Sequence, residues 1–192
     1  PYLTFQPNFE SANVEVFKKL YLNGAVYRGR KPIHWCSHCH TALAEAEIEY
    51  ADETSPSIYV NFKLNNIPAA FAEAGVDLER AYVLIWTTTP WTLPSNTAVS
   101  LGPDIDYCFV EADGKFMMFA KDMVEAVAKV AGWESYRIVE ANGEPVTMKG
   151  DQFGDITYIC PVLHENTGRI IWGEHVTLDA GTGAVHTAPG HG

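Results

Sequence analysis

Apolar residues recur at every second position in short runs along this chain, and turn-forming residues separate the runs. Ile58, Val60, Phe62 and Leu64 alternate with Tyr59, Asn61 and Lys63; Ala44, Ala46, Ile48 and Tyr50 alternate with Glu45, Glu47 and Glu49. In an extended chain, a period of two puts one set of side chains on one face, so each run predicts a half-buried strand. Over 44–50 the pattern is set above the helix propensity of Ala and Glu, and a strand is expected there as well. Ala81–Thr87 reads as a buried strand, and further strands are expected at 97–100, 106–111, 115–119, 135–140, 156–160, 175–178 and 183–187. Asp113-Gly114 is a tight hairpin turn between two of them.

Helical spacing is confined to three places. Residues 9–23 carry Val14, Phe17, Leu20 and Tyr21 on one stripe and stop at Gly24; 67–75 suit a short helix; 121–131 place Met123, Val124, Val127 and Val130 inward. Many short strands with a few helices predict a mixed α/β fold, mainly β, shaped like a β-barrel with peripheral helices. The expected division is a connecting segment over 1–50 and a main domain over 51–192, cut short at its C-terminal end.

At 192 residues, with 47% hydrophobic and 19% charged residues, the chain has material for a core. No apolar stretch approaches the roughly 20 residues that span a bilayer, so no membrane partner is expected. Net charge is -11, unevenly spread: residues 1–31, with Lys18, Lys19, Arg28, Arg30 and Lys31, carry +3 and the remainder -14. Such an acidic body does not grip a polyanion by bulk electrostatics, so any nucleic-acid contact is local. Cys108 and Cys160 are isolated and Cys36 and Cys39 are close, which forms no evident disulfide framework and fits a reducing, cytoplasmic setting.

Three constellations could carry chemistry. The first, at 86–96, is WTTTPWTLPSN, where two prolines stiffen a loop that follows a strand. Threonine hydroxyls there both donate and accept, which suits a ribose hydroxyl or a water beside a carbonyl. Trp91 could wall a pocket, and Asn96 could fix the loop or touch a ligand; strand propensity alone explains one or two threonines but not the whole arrangement. The second, at 181–192, is GTGAVHTAPGHG, whose glycines allow close backbone approach and whose amides could meet a developing oxyanion. His186 lies there in a strand-like run, although a lone histidine is more often structural than catalytic. The third is Cys36-x-x-Cys39 among His34, His38 and His40, which offers two of the four ligands a zinc knuckle needs. A plain turn is the bland reading, and a thiol oxidoreductase, with a depressed Cys36 pKa, is a further one.

WTTTPWTLPSN together with GTGAVHTAPGHG resembles the editing domain of the isoleucyl-tRNA synthetases, and so do PYLTF, LYLNGAVYRG, HWCSHCHTALAEAEIEY, ETSPSI and VTLDAGTGAVH. Thr87-Thr88-Thr89-Pro90-Trp91 is the isoleucyl form of a loop that in the valyl and leucyl enzymes carries a threonine pair before Arg-Pro. The resemblance implies a β-barrel inserted in a class I catalytic domain, which takes the 3′ end of aminoacylated tRNA(Ile) and hydrolyses misattached valine. The need is physical: one methylene in an apolar pocket discriminates by only about 1–3 kcal/mol, a figure for which these enzymes are themselves the standard example.

By motif match, Thr87, Thr88 and Thr89 would contact the terminal adenosine or the hydrolytic water. Trp91 would shape the pocket, Asn96 would hold the loop or substrate, and Gly183 and Ala184 would bind substrate. His186 would orient it and exclude the larger side chain. No cofactor is implied for editing; Cys36 and Cys39 would be half of a zinc site in the intact parent, and ATP would serve only its synthetic domain. The family motif continues past Gly192 to an acidic pair, one of which would bind the substrate amine. The chain is therefore expected to hydrolyse poorly by itself, and without HIGH and KMSKS motifs it is not expected to activate an amino acid. The competing class is a non-catalytic, zinc-stabilised tRNA-binding module.

Overall fold

The computed structural model describes residues 3–30 and 32–190, in two compact units, Pro1–Glu49 and Tyr50–Gly192. Lys31 of the basic start and the His191-Gly192 end of the glycine-rich loop lie outside the described residues.

The first unit opens with α1 (Pro7–Leu22), which begins on Pro7 as first helical residue and stops where Gly24 takes φ +74°. Its apolar stripe is present but uncovered: Val14, Phe17, Leu20 and Tyr21 are all exposed. A two-stranded ribbon follows, β1 (Trp35–Cys36) antiparallel to β2 (Thr41–Ala42). The strand expected over 44–50 is absent; Glu45–Glu47 is a turn of 3-10 helix, with the Glu47 carboxylate accepting from the Ala44 N–H at 2.7 Å. Alternation predicts a strand only if a neighbour covers the apolar face. Here Ala44, Ala46 and Tyr50 stay exposed, so local hydrogen bonding and helix propensity decide.

The second unit carries β3 (Ile58–Lys63), β4 (Ala81–Thr87), β5 (Ala98–Leu101), β6 (Asp106–Ala112), β7 (Lys115–Ala120), β8 (Arg137–Ile138), β9 (Glu140–Ala141), β10 (Glu144–Pro145), β11 (Met148–Lys149), β12 (Thr157–Ile159), β13 (Thr167–Trp172) and β14 (Ala184–Thr187), with helices α2 (Ala69–Glu73) and α3 (Val124–Ala131). The mainly-β expectation holds, but among the described residues the strands form open sheets rather than a closed barrel. A six-stranded sheet runs β11-β6-β7-β4-β3 with β8 also on β6, and a four-stranded sheet runs β12-β13-β5-β14. Asp113 and Gly114 both take positive φ, +50° and +71°, as the turn from β6 to β7 requires.

Alternation along β4 sends Val83 and Ile85 to one face and Leu84 to the other, so the six-stranded sheet has two cores. Phe62, Val83, Ile85, Phe109 and Met118 pack with Val99, Leu101, Ile170 and Ala184 of the smaller sheet. Leu84, Val110, Met117 and Phe119 pack with Val124 and Val127 of α3. Met123 lies in a 3-10 turn before α3, and Val130, expected inward, is 66% exposed because α3 ends at Gly132 and only Val124, Val127 and Ala128 are covered. The strand expected at 175–178 does not form, the segment being irregular after a turn at Glu174-His175, and the one over 135–140 is split between β8 and β9.

Strand β13, absent from the sequence reading, pairs with β5 and β12. Its Gly168-Arg169 start hides the alternation. Gly168 sits opposite Tyr158, whose ring occupies the space a side chain would need. No helix of the described residues is long and apolar enough to cross a membrane.

Candidate functional site: a hydroxyl-lined cavity at the sheet crossover

The loop between β4 and β5 carries the chain from the larger sheet to the smaller one. Pro90–Ser95 forms a 3-10 turn with prolines at positions 90 and 94, which fixes the approach to β5. Strand β14 lies antiparallel to β5, with His186 opposite Val99 and Thr187 opposite Ala98. The two segments singled out in sequence therefore meet in space, around a cavity of about 340 Å³. One wall is Trp86, Thr87, Thr88, Thr89 and Thr92; the other is His175, Thr177 and 179–186.

The threonines differ in what they still offer. Thr87 is buried, and its Oγ1 accepts from the Thr89 N–H at 3.1 Å and lies 3.2 Å from the Thr89 hydroxyl. Thr88 is exposed; its carbonyl accepts from the Ser55 hydroxyl at 3.2 Å, and its own hydroxyl makes no hydrogen bond among the described residues. Thr92 is buried and internally committed: its Oγ1 lies 2.8 Å from the Thr89 carbonyl and 2.9 Å from His186 Nε2.

His186 is half-buried, and both ring nitrogens are engaged, Nε2 with Thr92 and Nδ1 with Asn96 Nδ2 at 2.7 Å. Burial pushes its pKa below the ordinary histidine value, partly opposed by the hydrogen bond at Thr92. Asn96 is buried behind the ring, outside the cavity lining. It donates to the Ala98 carbonyl at 3.0 Å and accepts from the Tyr158 hydroxyl at 2.7 Å. Burial pushes the Tyr158 phenol well up, which keeps it a donor.

The glycine-rich wall is held by backbone constraints. The Thr182 carbonyl accepts from the Ala120 N–H at 2.9 Å, and the Gly183 carbonyl from the buried Tyr107 hydroxyl. Gly183, at φ +68°, leaves room for Ala120; a Cβ there would lie 2.6 Å from the Ala120 methyl. Gly181, at φ +79°, lies against the Trp86 indole. Ala184 also lines the cavity, and its N–H reaches Thr182 Oγ1 at 3.3 Å.

Thr87, Thr88, Thr89, Gly183, Ala184 and His186 thus share one cavity. Trp91 does not line it and is 69% exposed; the indole in the wall is Trp86. Sequence reasoning missed Thr92, Tyr158, His175, Thr177 and Asp179, the last being the one carboxylate in the described lining. The run VTLDAGTGAVH contained Thr177 and Asp179, but nothing local marked them out.

In the other unit, the Cys39 N–H donates to Cys36 Sγ at 3.3 Å across the β1–β2 turn. Amides at Cys39 and His38 hold the Cys36 thiol below its usual pKa. The turn joins two strands and opens no helix, whereas a thioredoxin-like redox site needs its CxxC at the start of a helix. Two thiols suit half a zinc site; among the described residues no group of three or more metal-ligating side chains converges. All four cysteines are free.

The profile of the tRNA synthetases of class I (I, L, M and V) matches residues 1–159. The chain is 45% identical, over all 192 residues, to isoleucine–tRNA ligase of Caldanaerobacter subterraneus subsp. tengcongensis, of which it spans 20%. It is also 45% identical over its whole length to isoleucine–tRNA ligase of Syntrophomonas wolfei subsp. wolfei, of which it spans 19%. The chain therefore spans about a fifth of the length of these curated relatives. In fold it is similar to the crystal structure of GlLeuRS-CP1, with TM-score 0.51 and 16% identity, covering 69% of this chain and 53% of that one. The editing domain of the P. knowlesi cytosolic leucyl-tRNA synthetase matches with TM-score 0.51 and 11% identity, covering 72% of this chain and 60% of that one.

Proposed function

Because the chain belongs to the class I tRNA synthetases of the I, L, M and V group, we propose that its cavity is an editing site that hydrolyses valine wrongly esterified to the 3′ end of tRNA(Ile). The observation that carries this reading is the meeting of Thr87–Thr89 with His186 around one cavity of about 340 Å³, large enough for the end of a substrate and not for a folded nucleic acid. The acidic charge of the chain agrees with entry of a single-stranded end only, with the rest of the synthetase holding the tRNA body.

The chemistry asked of the site is modest. Water attacks the ester carbonyl carbon, the tetrahedral oxyanion collapses, and the ribose oxygen leaves with a proton, giving free valine and uncharged tRNA. An aminoacyl ester is already activated, so a placed water and stabilised oxyanion suffice. In this reading the hydroxyls of Thr88 and Thr89 would hold that water, and His186 would form a wall beside the side chain. No cofactor is needed for this step. Cys36 and Cys39 would hold zinc only with ligands from elsewhere in the parent, whose synthetic domain would use ATP. The setting is the cytoplasm.

The test is deacylation of Val-tRNA(Ile) and Ile-tRNA(Ile) by the chain, and by a version extended past Gly192. Hydrolysis of the valyl ester alone, faster in the extended version, is expected; hydrolysis of neither ester by either version would sink the reading. A second reading, a zinc-stabilised tRNA-binding module without catalysis, draws on the lowered Cys36 thiol and would show zinc-dependent tRNA binding with no deacylation.

A further inference from the structure

We propose that Thr92, Asn96 and Tyr158 are positioning residues that hold His186 in one tautomer, with its hydrogen on Nε2, and thereby withdraw both ring nitrogens from proton transfer. The argument is one of donor direction. The Ala98 carbonyl, 3.0 Å from Asn96 Nδ2, can only accept, so the amide nitrogen of Asn96 faces it. The Tyr158 hydroxyl, 2.7 Å from Asn96 Oδ1, donates to the other end of the same amide. With its orientation thus fixed twice, the amide turns its second hydrogen on His186 Nδ1 at 2.7 Å, and that nitrogen carries the lone pair.

A neutral ring then bears its hydrogen on Nε2, aimed at Thr92 Oγ1 at 2.9 Å. Thr92 passes its own hydrogen to the Thr89 carbonyl at 2.8 Å. Every donor meets an acceptor in this arrangement. The opposite tautomer, or an imidazolium, sets a hydrogen on Nδ1 against those of the Asn96 amide. Turning the amide over would set Oδ1 against the Ala98 carbonyl. The ionisable groups around the ring are Asp179 and His175, which line the same cavity, and Tyr158 and Cys160 behind Asn96; none of them hydrogen-bonds the imidazole.

His186 is thereby a rigid neutral wall whose state sets the threonine loop through Thr92, and the groups left to meet water are the hydroxyls of Thr88 and Thr89. The catalytic consequence rests on the reading of the cavity as an editing site; the tautomer does not. Nitrogen NMR of the imidazole in the 192-residue chain tests the tautomer directly. Wild type is expected to show protonated Nε2 and unprotonated Nδ1. In Asn96→Asp the carboxylate can only accept, so the hydrogen should move to Nδ1 and Thr92 should leave Thr89 to donate to Nε2.

Deacylation of Val-tRNA(Ile) should fall about 100-fold in kcat in that variant, with KM changed far less, as misplacement of a positioned group does. Thr92→Val should lose kcat in the same way, and Thr92→Ser should restore it. An unprotonated Nε2 in wild type, an unmoved hydrogen in Asn96→Asp, or Thr92→Ser as poor as Thr92→Val overturns the proposal. If neither the wild-type chain nor its extended version deacylates either ester, the editing reading falls while the nitrogen spectra still decide the tautomer.

Discussion

Gly168→Ala should damage the site from a position outside the cavity lining. Gly168 faces Tyr158 across the β12–β13 pair, and a Cβ there would lie 2.2 Å from Tyr158 Cζ and 2.4 Å from its Cε2 and hydroxyl oxygen. The ring has little freedom to yield. It is fully buried, packs on Phe62 with centroids 5.2 Å apart, and donates to Asn96 at 2.7 Å. Either the two strands separate or the ring swings out of its place. Overpacking of this kind costs about 1–3 kcal/mol, and a buried hydrogen bond lost with an acceptor left behind costs about 1–3 kcal/mol more, so about 2–6 kcal/mol is expected. The midpoint of thermal unfolding should drop by about 4 °C or more. Urea unfolding at 25 °C, followed by near-UV circular dichroism, gives the free energy, and imidazole NMR reports whether His186 has lost its fixed environment. Tyr158→Phe is the control: it removes the hydroxyl and keeps the ring, so its loss should be smaller. The double variant should be less harmful than the two losses added, because the Asn96 bond is lost once. A Gly168→Ala loss below about 0.5 kcal/mol, with His186 unchanged, would refute the reasoning.

Three further outcomes follow from the same geometry. The lowered His186 pKa means the folded state favours the neutral ring. Its contribution is therefore fully present above the unfolded value of 6.5 and is lost as pH falls through the folded value; urea midpoints should decline below about pH 6.5 in wild type and less steeply in His186→Gln. Cys36, its thiol lowered by amide hydrogen bonds, should alkylate at neutral pH well before Cys108, which burial pushes up to about 12; mass spectrometry of labelled peptides gives the order, and early labelling of Cys108 would contradict it. Gly183→Ala combines a φ of +68° with a Cβ 2.6 Å from the Ala120 methyl, and should destabilise by about 2–4 kcal/mol in urea unfolding, whereas Gly114→Ala, with nothing near its Cβ, should cost only about 1 kcal/mol.

Much of this protein is local, and what is local is legible in the sequence. Strand β4 spans the whole of Ala81–Thr87, and Ile58–Lys63 and the 106–120 hairpin form where alternation and turn chemistry place them. Asp113-Gly114 requires positive φ whatever surrounds it, and Gly24 ends its helix for the same reason. The threonine and glycine–histidine segments stood out by composition, and they do meet.

What alternation cannot state is whether a neighbour arrives to cover the apolar face. Among the described residues none does so for Ala44, Ala46 and Tyr50, where the chain turns locally, and none buries the apolar stripe of α1, while Gly168 hides a strand that only Tyr158 explains. The same limit applies to the site. That Trp86 rather than Trp91 lines the cavity depends on where the glycine-rich loop lies. The roles of Thr92, Asn96 and Tyr158 exist only because β5, β12 and β14 bring residues 62–94 positions apart within hydrogen-bond reach of one another. Sequence determined which groups were available; donor direction across two sheets decided what each of them is left free to do.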